Sequence, residues 1–188
     1  TVIRDLAIQQ DIQWLRGSGS TPQVTGIIEY ASLTTGPSLG TNGRTVKHDD
    51  FIEADYLLQA VNALGADFVI CHPRTENTLR KEKDNEARYL VSADGRPTVA
   101  PYPAAGYLPI YKTTNLIITE TVGSNTDTST AIVGDGSQIF IVERQGIELA
   151  FSEHLYFNTD ELAVRAIGRS TIVILQPAAV LLITGIRA

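Results

Sequence analysis

Apolar positions recur along this chain first at helical spacing and later with the alternation of strands. In residues 1–15, Ile8, Ile12 and Leu15 fall on one helical stripe, and Gly17 stands where a helix can end. A second helix is predicted after Asp49 or Asp50, either of which can cap it. Ala54, Leu57, Leu58, Val61 and Leu64 form its apolar face, and Gly65 sits where a left-handed terminal residue is wanted. Residues 67–72 (DFVICH) read as a buried strand. Pro73 then leads into a short charged helix, with Thr75 as its cap, running through Leu79 to about Asp84.

Beyond that point the period changes to two. Residues 92–106 hold Pro97, Pro101 and Pro103, and residues 121–130 (TVGSNTDTST) are polar throughout, so both stretches are predicted as loops. Short strands are predicted at 109–113 and 116–119. Residues 138–143 and 147–151 form a hairpin signal around Arg144-Gln145-Gly146, where Gly146 is available for positive φ. Residues 162–170, 171–175 and 178–184 extend the β content. The order of elements is α+β rather than a regular βαβ alternation.

Composition changes this picture by exclusion. A chain of 188 residues with 43% hydrophobic content can bury a core as one domain or as two small lobes. Its net charge of -6 and the lack of any basic run argue against a grip on nucleic acid. The lone Cys71 excludes an internal disulfide framework and makes a reducing compartment the default. No signal peptide is evident. Residues 170–186 carry no charge, yet Gln176 and Pro177 in their middle favour two buried strands over a membrane span. The chain has no Met, so Thr1 is not expected to be the natural translation start.

Candidate chemistry is sparse. Gly17, Gly19 and Gly26 lie close together, but a phosphate loop needs a strand before it and a helix after it, and here a helix comes first and no Lys follows. The glycines are therefore expected to shape a turn. Gly36-Pro37-Ser38-Leu39-Gly40 satisfies G-x-S-x-G, but the turn sequence Thr41-Asn42-Gly43-Arg44 follows where a nucleophile elbow wants a helix. Cys71 and His72 are adjacent on a strand and so point to opposite faces. His48, His72 and His154 stand apart, and Asp49, Asp50 and Glu53 fit as helix-start charges. No catalytic, cofactor or metal site is assigned, and the chain is not expected to be an enzyme.

One set of residues nonetheless has a familiar order. Residues 134–147 (GDGSQIFIVERQGI), then Phe157, Asp160-Glu161-Leu162, Arg165-Ala166, Arg169 and Pro177-Ala178-Ala179, resemble the C-terminal signature of tailed-phage major capsid proteins. Gly17-Ser18-Gly19 with Gly26-Ile27-Ile28, Phe68-Val69-Ile70 with Pro73, and Gly106-Tyr107-Leu108-Pro109-Ile110 resemble earlier pieces of that family. The resemblance implies the Hong Kong 97-type capsid fold without its N-terminal arm, extended loop and spine helix. It implies an axial domain over residues 1–133, a peripheral-domain β hairpin over 134–165, and returning strands over 166–188. By the same resemblance the chain is a major capsid subunit, self-assembling into pentamers and hexamers of an icosahedral shell around phage double-stranded DNA. Its partners are then other copies of itself and scaffold, protease and portal proteins, with DNA enclosed but not read and no membrane. Its place is the virion, and the bacterial host cytoplasm during assembly. Lysine cross-linking is not carried over. An encapsulin-type compartment shell is the alternative within the fold, and a small α+β hydrolase using Ser38 is the alternative outside it.

Two further expectations concern surfaces. At least one of the stretches 92–106 and 121–130 is expected to project from the axial domain as a ring contact. Arg165 and Arg169 share one face of a strand around Ile167. An intrachain ion pair with Glu143, Glu148, Glu153 or Glu161 is the expected arrangement, with an intersubunit contact as the alternative.

Overall fold

The computed structural model describes residues 2–89, 108–156, 158–159 and 161–187. The chain divides into two compact units, one formed by Thr1–Glu29 with Ile139–Ile174 and the other by Tyr30–Gln138 with Leu175–Ala188. These units cut the sequence differently from the segments 1–133, 134–165 and 166–188, because the first 29 residues cluster with the later ribbon.

The first unit holds α1 (Val2–Arg16) and the two long strands β7 (Ile139–Tyr156) and β8 (Glu161–Ile174). The hairpin turn does not fall at Arg144-Gln145-Gly146. Those residues lie inside β7, where the register slips between Glu143 and Gln145 and again between Gln145 and Glu148. Four residues that β7 has beyond β8 are absorbed as irregularities along β7, while β8 runs without interruption. The expected break between 170 and 171 is likewise absent. α1 is tied to this ribbon by Gln10 Nε2 and Trp14 Nε1, which both donate to Ser170 Oγ at 3.1 and 3.2 Å.

In the second unit the elements before the ribbon are β1 (Thr34–Thr35), β2 (Arg44–Thr45), α2 (His48–Ala60), β3 (Phe68–Cys71), α3 (Pro73–Arg80), β4 (Ile110–Lys112), β5 (Glu120–Val122) and β6 (Asn125–Gly134). β9 (Val180–Arg187) follows the ribbon after a short turn at Pro177–Ala179. Among the described residues the strands form one sheet in the order β1-β9-β6-β3-β4, with β2 also on β9 and β5 on β6. β3 with β4, and β9 with β1 and β2, run parallel. β6 is antiparallel to both β3 and β9.

Residues 121–130 are thus strands and a tight turn, not a loop. Their polar side chains are satisfied inside the sheet: Thr128 Oγ1 donates to the Glu120 carbonyl at 2.7 Å and Thr130 Oγ1 to the Glu120 carboxylate at 2.6 Å. Buried polar groups that find partners carry little penalty, so a polar segment can occupy the sheet centre. Residues 116–119 form no strand, although Leu116 is buried. The stretch 92–106 lies outside the described residues, as do Gly106, Tyr107, Phe157 and Asp160.

The core is built on one face of the sheet. Phe51, Ala54 and Leu58 of α2, spaced three and four apart, meet Val69, Val133, Leu181 and Ile183 from the strands, and Leu79 of α3 closes the layer. Val61 and Leu64, expected on this face, are exposed, Leu64 to 88%. The helix has already ended before them. The Asn62 and Ala63 amides donate back to the Gln59 and Leu58 carbonyls, and Asn62 takes φ 61, a Schellman-type stop in which Asn rather than Gly65 is the left-handed residue. At the other end Lys47 is the cap residue, and Asp50 Oδ2 accepts its amide at 2.8 Å while Arg44 pairs with the same carboxylate. Residues 170–186 contribute the end of β8 and most of β9, and among the described residues no helix is long and apolar enough to cross a membrane.

Candidate functional site

Most of the residues that could carry chemistry are placed in a structural role. Gly17 and Gly26 bring two chain segments into backbone contact: Gly26 N donates to Gly17 O at 2.8 Å, Gly19 N to Val24 O at 3.1 Å, and Ser18 bridges Thr25. A Cβ on Gly26 lies 2.7 Å from Arg16 Cα, and one on Gly17 lies 2.6 Å from Gln13 O. These glycines serve a close turn, as expected. Ser38 sits in an open loop after the two-residue β1, and its exposed Oγ accepts the Gly40 amide at 3.3 Å. No helix follows it, so the strained turn that exposes a catalytic Ser is missing.

Cys71 faces the core with no exposed surface. Burial, with the Glu76 carboxylate adding to it, pushes its thiol up to about 11, which leaves it protonated and unreactive near neutrality. His72 caps α3, its Nδ1 accepting the Arg74 amide at 3.1 Å, a role the sequence reading gave to Thr75. Thr75 is instead buried in the first turn, facing inward. Burial first, and the Arg74 charge second, hold the His72 imidazole below its ordinary 6.5. The neutral ring is the form that can accept an amide, so the cap weakens when it is protonated. A lowered folded value means that the unfolded chain binds more protons, so stability is full above about 6.5 and declines as pH falls below it. His72→Asn, which keeps an accepting side chain, is expected to flatten this decline in thermal melts between pH 7 and pH 5.

His48 lies elsewhere, its Nδ1 2.5 Å from Glu82 Oε2, which also accepts the His48 amide at 3.1 Å. His154 is exposed on β7. Among the described residues no group of three or more His, Cys, Asp or Glu side chains is placed to hold a metal ion.

What the structure does present is surface. On the ribbon, pairing puts Ile139, Ile141, Leu149 and Phe151 on one face with Ile174, Ile172, Ala166 and Val164. Ile172 and Ile174 are buried, but farther out Leu149, Phe151, Leu162 and Val164 are exposed, Phe151 to 65%. The opposite face carries Gln145 opposite Arg169, Glu148 opposite Ile167 and Ala150 opposite Arg165. Arg165 and Arg169 are exposed on the same face, as their spacing predicts, and no described carboxylate pairs with either. Replacing both by Ala is therefore expected to change the stability of this chain by less than about 0.5 kcal/mol in urea denaturation.

On the sheet unit, α2 turns Ile52 and Tyr56 outward, with Asp49 and Glu53 beside them. At the sheet's edge, β4 exposes Ile110, Tyr111 and Lys112, and no strand among the described residues covers its outer side. Lys112 Nζ lies 3.2 Å from Glu76 Oε1, and Arg80 Nη1 lies 3.9 Å from the same oxygen.

No curated protein matches the chain by sequence. Among solved structures, an encapsulin complex from Synechococcus elongatus covers 99% of this chain at TM-score 0.62 and 10% identity. The capsid of a native GTA particle covers 100% at TM-score 0.64 and 18% identity, and the Gordonia phage Cozz structure covers 94% at TM-score 0.57 and 20% identity. The chain spans only 63%, 63% and 58% of those three chains. At such identities the likeness establishes the fold, the α+β capsid fold expected from the sequence. The Phage capsid family model matches residues 2–185. The chain therefore belongs to the phage capsid family.

Proposed function

We propose that this chain is the folded body of a phage major capsid protein whose copies assemble into pentamers and hexamers of an icosahedral shell around double-stranded DNA. The observation that carries the reading is the family match over residues 2–185. Exposed apolar side chains on the ribbon and on α2 support it, because monomeric proteins seldom leave such surface uncovered. The net charge of -6 suits a wall that holds DNA without gripping it. On this reading the sheet unit is the axial domain and the ribbon unit with α1 is the peripheral domain. The site of action is the virion, with assembly in the host cytoplasm, and the other partners are scaffold, protease and portal proteins.

The test is electron microscopy of the full-length protein expressed alone and with its neighbouring gene products. Closed shells, rings or tubes are the expected result. Their complete absence under both conditions sinks the proposal. A compartment shell is the second reading, supported by the likeness to an encapsulin. Particles that protect double-stranded DNA from nuclease favour the capsid, and particles filled with protein cargo favour the compartment.

A further inference from the structure

We infer that Asn42 is a modification site of this chain, an asparagine that loses its amide by cyclising onto Gly43 when its turn opens, and that the turn between β5 and β6 guards it in the folded state.

Asn42-Gly43 lies in the turn between β1 and β2, with Asn42 exposed. Asn42 is the only asparagine in the sequence that glycine follows. Glycine has no Cβ to shield its amide, so its nitrogen can approach the preceding side chain with less hindrance than a residue with a side chain would impose. In the reaction the Gly43 nitrogen bonds to Asn42 Cγ and gives up its proton, and the side-chain nitrogen leaves as ammonia. Water then opens the cyclic imide at either carbonyl. One opening leaves aspartate. The other leaves isoaspartate, whose main chain runs through the former side chain and is one carbon longer.

The reacting groups are engaged elsewhere in the fold. Asn42 Oδ1 accepts the Ser124 amide and the Ser124 hydroxyl, each at 3.1 Å, and the Asn42 carbonyl accepts Asn125 Nδ2 at 2.7 Å. The Gly43 amide donates to the Gly40 carbonyl at 3.2 Å. Ser124 and Asn125 follow Gly123, which passes so close to the β1–β2 turn that a Cβ on it would strike the Thr41 carbonyl oxygen and Asn42 Oδ1. Cyclisation needs the Asn42 carbonyl carbon to swing onto the Gly43 nitrogen, and that arrangement is reached only when these bonds part. The reaction therefore proceeds from a locally opened turn, whose population the bonds to Ser124 and Asn125 keep small.

The product matters because of what Gly43 touches. A Cβ on Gly43 would strike the Gly185 carbonyl oxygen, and β2 begins at the next residue, pairing Arg44 with Ile186 and Thr45 with Arg187. Arg44 in turn holds Asp50 at the start of α2. A main chain lengthened by one carbon has no room in that seat, so isoaspartate displaces β2 from β9 and loosens Arg44 from Asp50. Aspartate keeps the backbone path and still accepts from Ser124.

The experiment incubates the full-length protein in mildly alkaline buffer, folded and in urea, and follows aspartate and isoaspartate at position 42 by peptide mapping with mass spectrometry. Conversion is expected to be at least about tenfold slower in the folded protein than in urea. Ser124→Ala with Asn125→Ala removes two of the donors, and the folded double variant is expected to convert at least about threefold faster than wild type. Equal rates for folded and unfolded wild type overturn the guard, as does a folded double variant no faster than wild type. Should the double variant fail to fold, Ser124→Ala alone takes its place, with a rise expected and an unchanged rate overturning the guard. No conversion at position 42 even in urea removes the site itself. The isoaspartate form, separated by ion exchange, is expected to melt below wild type while Asn42→Asp melts close to it, and an isoaspartate form as stable as wild type overturns the seating of β2.

Discussion

Leu58→Ala is expected to destabilise the sheet unit by about 3 kcal/mol, which lowers its thermal midpoint by about 6–12 °C for a chain of this size. Leu58 has no exposed surface and lies in the layer between α2 and the strands, against Val69, Val133 and Leu181. The buried cluster around it draws on α2, α3 and several strands, so the space left by the side chain cannot be refilled by a small shift of the helix. Leu64→Ala is the matched control. Only six residues away but 88% exposed, it is expected to change stability by less than about 0.5 kcal/mol. Urea denaturation followed by circular dichroism measures both, and similar losses at the two positions would contradict the burial of Leu58 and the end of α2 before Leu64.

Gly26→Val is the second large effect. An added Cβ meets Arg16 Cα at 2.7 Å and the backbone nitrogens of Arg16 and Gly17 closer still. Main-chain atoms cannot turn aside as a flexible side chain can, so the segment after α1 must move and lose the Gly26 to Gly17 hydrogen bond. A loss of about 3 kcal/mol is expected, at the upper end of overpacking effects. Gly146→Val serves as its counterpart, since a Cβ there meets nothing within 4 Å and β7 favours branched residues. Stability unchanged or slightly raised is expected for it. A tolerated Gly26→Val would mean that the glycines do not hold this turn.

These two pairs also mark what was legible in the sequence. Helical spacing located α2 and its stripe through Leu58, and apolar continuity located β3, because burial on one face repeats at a fixed period. Where α2 stops was not legible. Asn62 supplies the left-handed residue, and the nearby Gly65 offered the more familiar signal while also taking positive φ. Residues 121–130 read as a loop because pattern reasoning scores polarity, whereas hydroxyl groups can be satisfied by Glu120 from the neighbouring strand. The ribbon was found but its turn was misplaced, since Arg144-Gln145-Gly146 resembles a turn locally and becomes an irregularity only once the long partner strand is in place. Family membership came from the order of short motifs, and the exposed faces of α2 and β4 came only from three-dimensional placement.

The place of β9 in the sheet has a consequence for the order of events during synthesis. Strand β6 is complete once residue 134 has been made, yet its partner on one side is β9, which is separated from it by the whole ribbon. A nascent chain that has not reached Val180 carries β6 with one edge open, and β1 and β2 have no strand to join. Local pieces such as the ribbon can form early, while the sheet waits on pairings distant in sequence. On the proposed shell reading, the exposed surfaces on α2 and β4 acquire a rigid support late, and a ribosome-bound subunit would be a poor partner for its neighbours. On that reading, translation itself would delay association until β9 has been made.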